Sequence, residues 1–251
     1  SSSYDIGALN TSQNPDEIVE MIKNAEKFAE KNPNSEKKGI RMLFYGLSGT
    51  GKTEFARYIS TCLGKDILLK RASDILDKYV GESEKHIKEA FKEAEETNSI
   101  LLFDEADSFF ADRNNATHSW ERTQVNEFLT QMEKFSGILI CTTNLKKIMD
   151  SALNRRFHMI VEFKSLTEDG LDCMLERYFG EYKFTEKQKK SLFEYNSVTP
   201  GDFGVLYDKI RFVDAAKISA ELIYKELCKI QNEKNNGDNG NNSNRKIGFS
   251  S

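Results

Sequence analysis

The chain has 251 residues, 38% hydrophobic and 30% charged, the balance of a globular protein with room for one large or two small domains. No run approaches the roughly 18–20 apolar residues of a membrane span, and the opening residues Ser1–Ser3 begin no charged-then-apolar leader. Lys plus Arg number 36 against 40 Asp plus Glu, and the resulting net charge of -4 argues against the broad basic surface of a dedicated nucleic-acid binder.

The first 38 residues are polar except for Ile18, Val19, Ile22, Ala25, Phe28 and Ala29, whose spacing predicts one amphipathic helix. Asn14-Pro15-Asp16 supplies its start and Lys31-Asn32-Pro33 its stop. Four short apolar runs follow: Arg41–Tyr45, Ile67–Leu69, Ile100–Phe103 and Ile138–Cys141. None alternates with polar residues, which suits strands buried on both faces of a parallel sheet. Helical periodicity fills the gaps at Thr53–Leu63, Glu82–Glu96 and Trp120–Phe135, so the pattern is an α/β sandwich with right-handed crossovers. After Val161-Glu162-Phe163 the texture turns all-helical, at Leu171–Phe179, Glu186–Tyr195, Asp202–Phe212 and Asp214–Ile230. Residues Asn232–Asn244 are low-complexity and nearly devoid of apolar groups, so disorder is expected there. Cys62, Cys141, Cys173 and Cys228 show no CxxC and no ligand spacing, and read as small packed side chains in a reducing, cytoplasmic compartment. His86, His118 and His158 likewise show no ligand spacing.

The strongest chemical signal is Gly46-Leu47-Ser48-Gly49-Thr50-Gly51-Lys52-Thr53. It fits G-x-x-x-x-G-K-[ST] and lies between a predicted strand and a predicted helix, a context that disfavours a chance glycine-rich turn. Gly46, Gly49 and Gly51 let the backbone curl around a phosphate. Its amides then point inward, and the helix beginning near Lys52 adds its positive end. Lys52 is placed for the outer phosphates and the Thr53 hydroxyl for Mg²⁺. The next run ends in Asp104-Glu105-Ala106-Asp107, at the same sheet edge. There Asp104 suits Mg²⁺ through water, and Glu105 suits a water attacking the γ-phosphate. Between these motifs, Tyr79-Val80-Gly81 is an apolar triplet in a polar loop. It reads equally as a gripping element or as a hydrophobic staple at a helix start. For Phe109, Phe110 and Trp120, packing is favoured over a second gripping loop.

The phosphate loop, LLFDEAD, KYVGESEKHIKEAF, CTTN at 141–144 and ALNRRF at 152–157 occur in the order and spacing of the AAA family of ATPases. Over residues 4–230 the chain resembles the classical branch of that family, which includes protein-remodelling and microtubule-severing enzymes. DEADSFFADR, SWERTQVNEFLTQME and TPGDF further resemble a bacterial subgroup in which the module often ends a longer protein. The resemblance implies a P-loop NTPase parallel-sheet sandwich at 1–164 and a small helical lid at 165–231, with residues 232–251 as a disordered tail.

It also implies roles. ATP and Mg²⁺ are the expected ligands, with Ser48 and Thr50 in the phosphate cradle. Ile6 and Gly7 resemble the segment lining the adenine pocket, and Gly201 resembles the small-domain position that meets nucleotide. Asn144 matches the sensor that helps Glu105 orient water, and Arg155 and Arg156 match arginine fingers reaching a neighbouring subunit's γ-phosphate. Tyr79, Val80 and Gly81 match a pore loop that grips an extended polypeptide. The implied partners are further copies of the chain in an ATP-promoted ring, a hexamer in the family, and an unidentified protein substrate. Nucleic acid is not an expected partner, and no membrane span is expected. Two departures stand out: Leu47-Ser48 replaces the family's proline pair, and Arg155 and Arg156 are adjacent rather than separated. Rival readings are a nucleotide-dependent assembly switch with little hydrolysis and a nucleic-acid-directed motor.

Overall fold

The apolar runs become five strands: β1 (Ile40–Gly46), β2 (Ile67–Arg71), β3 (Ile100–Asp104), β4 (Ile138–Thr143) and β5 (Met159–Phe163). The computed structural model describes residues 6–32, 39–71, 75, 82–107, 119–144 and 154–240. The strands form one parallel sheet in the order β2-β3-β4-β1-β5. β4 is buried at every position and β3 at all but Asp104, which explains why neither strand alternates in hydropathy.

Each face has its own aromatic core. On one, Leu43, Leu101, Phe103, Leu139 and Cys141 pack with Ile87 and Phe91 of α3 (Glu82–Glu96) and with Phe128 and Met132 of α4 (Ser119–Lys134). The Phe91 ring lies 5.6 Å from Phe103 and 5.2 Å from Phe135, the residue after α4. On the other, Phe44 lies 5.2 Å from Phe163 and 5.6 Å from Phe55 of α2 (Lys52–Leu63). Truncating one of these fully buried phenylalanines costs about 3–5 kcal/mol. The α1 helix (Pro15–Lys31) starts where its signals predict: the Asn14 side chain accepts the Asp16 N–H at 2.8 Å, with Pro15 in the first helical position.

By contacts the chain divides into two compact units, one of Ser1–Ile6 with Thr11–Lys164 and one of Gly7–Asn10 with Ser165–Ser251. The second holds α5 (Glu168–Phe179), α6 (Glu186–Phe193), α7 (Pro200–Ile210) and α8 (Ala220–Gly240) around Leu171, Leu175, Phe179, Phe203, Leu206 and Leu227. Capping residues define the starts. Thr167 accepts the Gly170 N–H at 3.1 Å, Thr185 and Gln188 form a reciprocal capping box, and the Thr199 N–H donates to Asp202 at 2.9 Å.

Two expectations need correction here. The helix expected over Asp214–Ile230 is broken: a single 3-10 turn spans Ala215–Lys217, and α8 begins at Ala220. Asp214 and Ser219 accept the N–H groups of Ala216 and Leu222, and these local bonds compete with a continuous helix. The disorder expected from residue 232 does not begin there, because α8 continues to Gly240. Gln231 donates to Asp202 at 2.9 Å, and Lys234 meets the same carboxylate at 2.6 Å and the Ser197 carbonyl at 3.2 Å. A helix already nucleated and tethered this way extends one residue at a time despite poor composition. Among the described residues, no helix is long and apolar enough to cross a membrane.

Candidate functional site

Strand order places β1 between β4 and β5, so the loop leaving β1 opens at the carboxyl ends of the sheet, beside the ends of β3 and β4. The loop turns through left-handed conformations at Gly46 (φ 136°), Gly49 (φ 78°) and Gly51 (φ 98°), where side chains are disfavoured. Gly46 has a second reason to be glycine, since a Cβ there would run into the Phe163 carbonyl oxygen. Thr50 is buried and its hydroxyl donates to the Leu47 carbonyl at 2.8 Å, bracing the turn, while Ser48 and Gly49 are exposed at its tip.

Lys52 opens α2 and is only 7% exposed. Its ammonium donates to the carbonyls of Gly46 and Leu47, both at 2.8 Å, and to Asn144 Oδ1 at 2.9 Å. All three partners are neutral. Burial pushes this ammonium down to about 8, against the opposing pull of Asp104 and Asp107. The Thr53 hydroxyl donates to Asp104 Oδ1 at 2.9 Å, and the Thr142 hydroxyl donates to the same oxygen. Glu105 is exposed and held at φ 54°, a costly conformation for a side-chain-bearing residue, with its N–H on Thr142 Oγ1 at 3.1 Å. Asp107 accepts from the Thr143 hydroxyl and from the Asn144 N–H at 3.1 Å.

The structure thus gathers Gly46, Thr50, Lys52, Thr53, Asp104, Glu105 and Asn144 at one sheet edge. It also adds three residues that were not singled out from the sequence. Thr142 and Thr143 became identifiable only with the parallel register of β3 and β4, which sets Phe103 opposite Cys141 and hence Asp104 beside Thr142. Asp107 had a weaker signal, as the last acidic residue of the Asp104-Glu105-Ala106-Asp107 string.

Other expected site residues lie elsewhere. Arg155 and Arg156 precede β5, and Arg41 near the start of β1 bonds the Arg156 carbonyl at 2.7 Å. At about 3.3 Å per residue, the five residues from Arg41 to Gly46 put that turn about 16 Å from the chain's own phosphate loop. Ile6 and Gly7 belong to one 3-10 turn, Ile6–Ala8. Gly201 is in the first turn of α7, beside buried Asp202, in the helical unit. Tyr79, Val80 and Gly81 lie outside the described residues.

A left-handed glycine cradle, a buried ammonium on neutral oxygens and a hydroxyl–carboxylate pair are a donor set that fits a polyphosphate with a hard divalent cation. Residues 42–165 match the family described as "ATPase family associated with various cellular activities (AAA)". The chain belongs to the AAA family. This AAA module is similar to Protein SAV of Sulfolobus acidocaldarius, with 33% identity over 202 residues, 73% of this chain and 25% of the relative. It is 36% identical over 153 residues to the 26S proteasome subunit RPT4 of Saccharomyces cerevisiae, 55% of this chain and 33% of that one. With vacuolar protein sorting-associated protein 4 of Dictyostelium discoideum it shares 38% identity over 126 residues, 48% of this chain and 28% of the relative. The AAA module therefore spans a quarter to a third of the length of these curated relatives. Membership makes it a nucleotide-binding ATPase domain, and the phosphate loop and paired acidic residues are the family's Walker motifs.

Proposed function

We propose that this AAA module hydrolyses ATP with Mg²⁺ and, assembled as an ATP-promoted hexameric ring, uses the cycle to remodel or translocate a protein. The convergence of Lys52, Thr53, Asp104, Glu105 and Asn144 on one sheet edge carries this reading. The backbone of 46–51 binds the phosphates and Lys52 turns its ammonium onto the outer two. Thr53 and Asp104, already joined by a hydrogen bond, would hold the cation, which would supply charge neutralisation at the phosphate oxygens. Glu105 and Asn144 orient the water for in-line attack, with Asn144 fixed through its backbone by Asp107. The chain's own arginine turn is remote from its phosphate loop, which supports delivery of an arginine to a neighbour's site, where such a group is worth roughly 10³–10⁵ in rate.

Residues 1–164 act as the nucleotide-binding body and 165–231 as the lid, with Ile6 and Gly7 at the adenine and Gly201 as a lid contact. Tyr79, Val80 and Gly81 supply the grip on substrate, and the chain works in the cytoplasm. Comparing ATP turnover in the parent and Glu105→Gln tests the hydrolytic reading. The expected outcome is at least a ~10²-fold loss in the variant with nucleotide affinity retained. Equal, near-zero rates in both would favour a nucleotide-dependent assembly switch instead.

A further inference from the structure

Arg155 and Arg156 are adjacent in sequence but held differently. Arg155 is exposed on the turn before β5, whereas Arg156 is half-buried, with its Nε 2.6 Å from Glu133 Oε1 in the last turn of α4. The backbone of that turn is also tied to β1, because Arg41 Nε donates to the Arg156 carbonyl at 2.7 Å. The Arg41 N–H faces His158 Nδ1 at 3.0 Å and its Nη2 faces His158 Nε2 at 3.1 Å. A neutral imidazole accepts at only one nitrogen, so one of these two is a hydrogen bond and the other is not. The bond to the Arg156 carbonyl has no such ambiguity. Burial works against the Arg41 cation and Glu133 works for it, so one carboxylate supports both arginines.

A charge-assisted bond at Nε fixes the plane of the Arg156 guanidinium against its own chain. Reaching a second molecule's phosphates would require leaving Glu133 beside an incoming polyanion, a like-charge arrangement that opposes the transfer. Arg155 faces no such conflict: its side chain is exposed on a turn whose backbone is pinned next door.

We propose that Arg155 alone is the arginine donated in trans, and that Arg156, Glu133 and Arg41 form the anchor that fixes the turn presenting it. This rests on the trans-arginine reading above, and a donor–acceptor mixture separates the two. The acceptor is Arg155→Ala, which keeps its own hydrolytic residues. The donor carries Glu105→Gln, hydrolyses at least ~10²-fold more slowly than the parent, and contributes through its arginine turn. A donor with both arginines is expected to restore ATP turnover to the acceptor. A donor also carrying Arg155→Ala is expected to restore none. A donor also carrying Arg156→Gln should restore turnover to within about fivefold of the intact donor, the scale of an exposed ion pair. Reversing the pair, with Glu133→Arg and Arg156→Glu together, should recover what Arg156→Glu alone loses, and keeps the test decisive where the single reversal misfolds. No rescue by the intact-arginine donor would sink the trans reading and this inference with it. Rescue by that donor, but none by the Arg156→Gln donor or the charge-reversed pair, would overturn the inference alone, as would rescue by the Arg155→Ala donor.

Discussion

Lys52 in the α/β unit and Lys234 in the helical unit each reach inward, and they are neutralised in opposite ways. Lys234 meets the buried Asp202 carboxylate at 2.6 Å, and that carboxylate also accepts from Gln231 and from the Thr199 N–H. Lys52 is offered three neutral oxygens, and among the described residues no carboxylate lies within ion-pair distance of it. The acids that raise its proton affinity are engaged otherwise: Asp104 by Thr53 and Thr142, Asp107 by Thr143 and Asn144. A lysine with a structural task is given its counter-ion by the fold, while this one keeps its charge available for phosphate.

The largest effect that sharpens this contrast is at Lys52. Lys52→Met is expected to lower ATP turnover by about 10³-fold or more, while unfolding free energy in urea stays within about 1 kcal/mol of the parent, because an uncompensated buried charge is removed. Asp202→Ala should do the reverse. Losing the helix cap and the partner of Lys234 is expected to cost about 2–4 kcal/mol in the same urea titration. A stability loss at Lys52 as large as that at Asp202 would erase the distinction. Asp107→Asn comes next: loosening the Asn144 backbone should reduce the turnover number about tenfold, with nucleotide affinity nearly unchanged. A matching loss of affinity would make Asp107 a binding residue instead.

The smallest effect is in pH. Between about 8 and the ordinary 10.5, the unfolded chain holds a proton that folded Lys52 has released. Its buried charge therefore costs stability below pH 8, and that cost fades as pH rises through the window. Bound polyphosphate favours the protonated form, so nucleotide affinity is expected to fall above pH 8, by at most about tenfold per pH unit. Titration with a fluorescent nucleotide from pH 7 to 9.5 reads this directly, and a flat profile would contradict it.

What was legible in the sequence was whatever is local along the chain. Gly46 to Thr53 are consecutive, so loop, helix start and lysine could be read together, and uninterrupted apolar runs identified buried parallel strands. The rest depends on pairings that no local pattern encodes. Thr142 reaches Asp104 only through strand register, and Arg156 is assigned to Glu133 and Arg41 by contacts spanning 23 and 115 residues. The end of α8 is not legible in composition, which favours disorder from 232 onward, because Gln231 and Lys234 find their partner in the sequence-distant Asp202 carboxylate.

Identifying the nucleotide retained by the chain after incubation with Mg²⁺-ATP and rapid desalting tests the central claim most directly. The parent is expected to yield ADP, Glu105→Gln to yield ATP, and Lys52→Met to yield neither. ATP recovered intact from the parent, or nucleotide retained equally by Lys52→Met, would contradict the account.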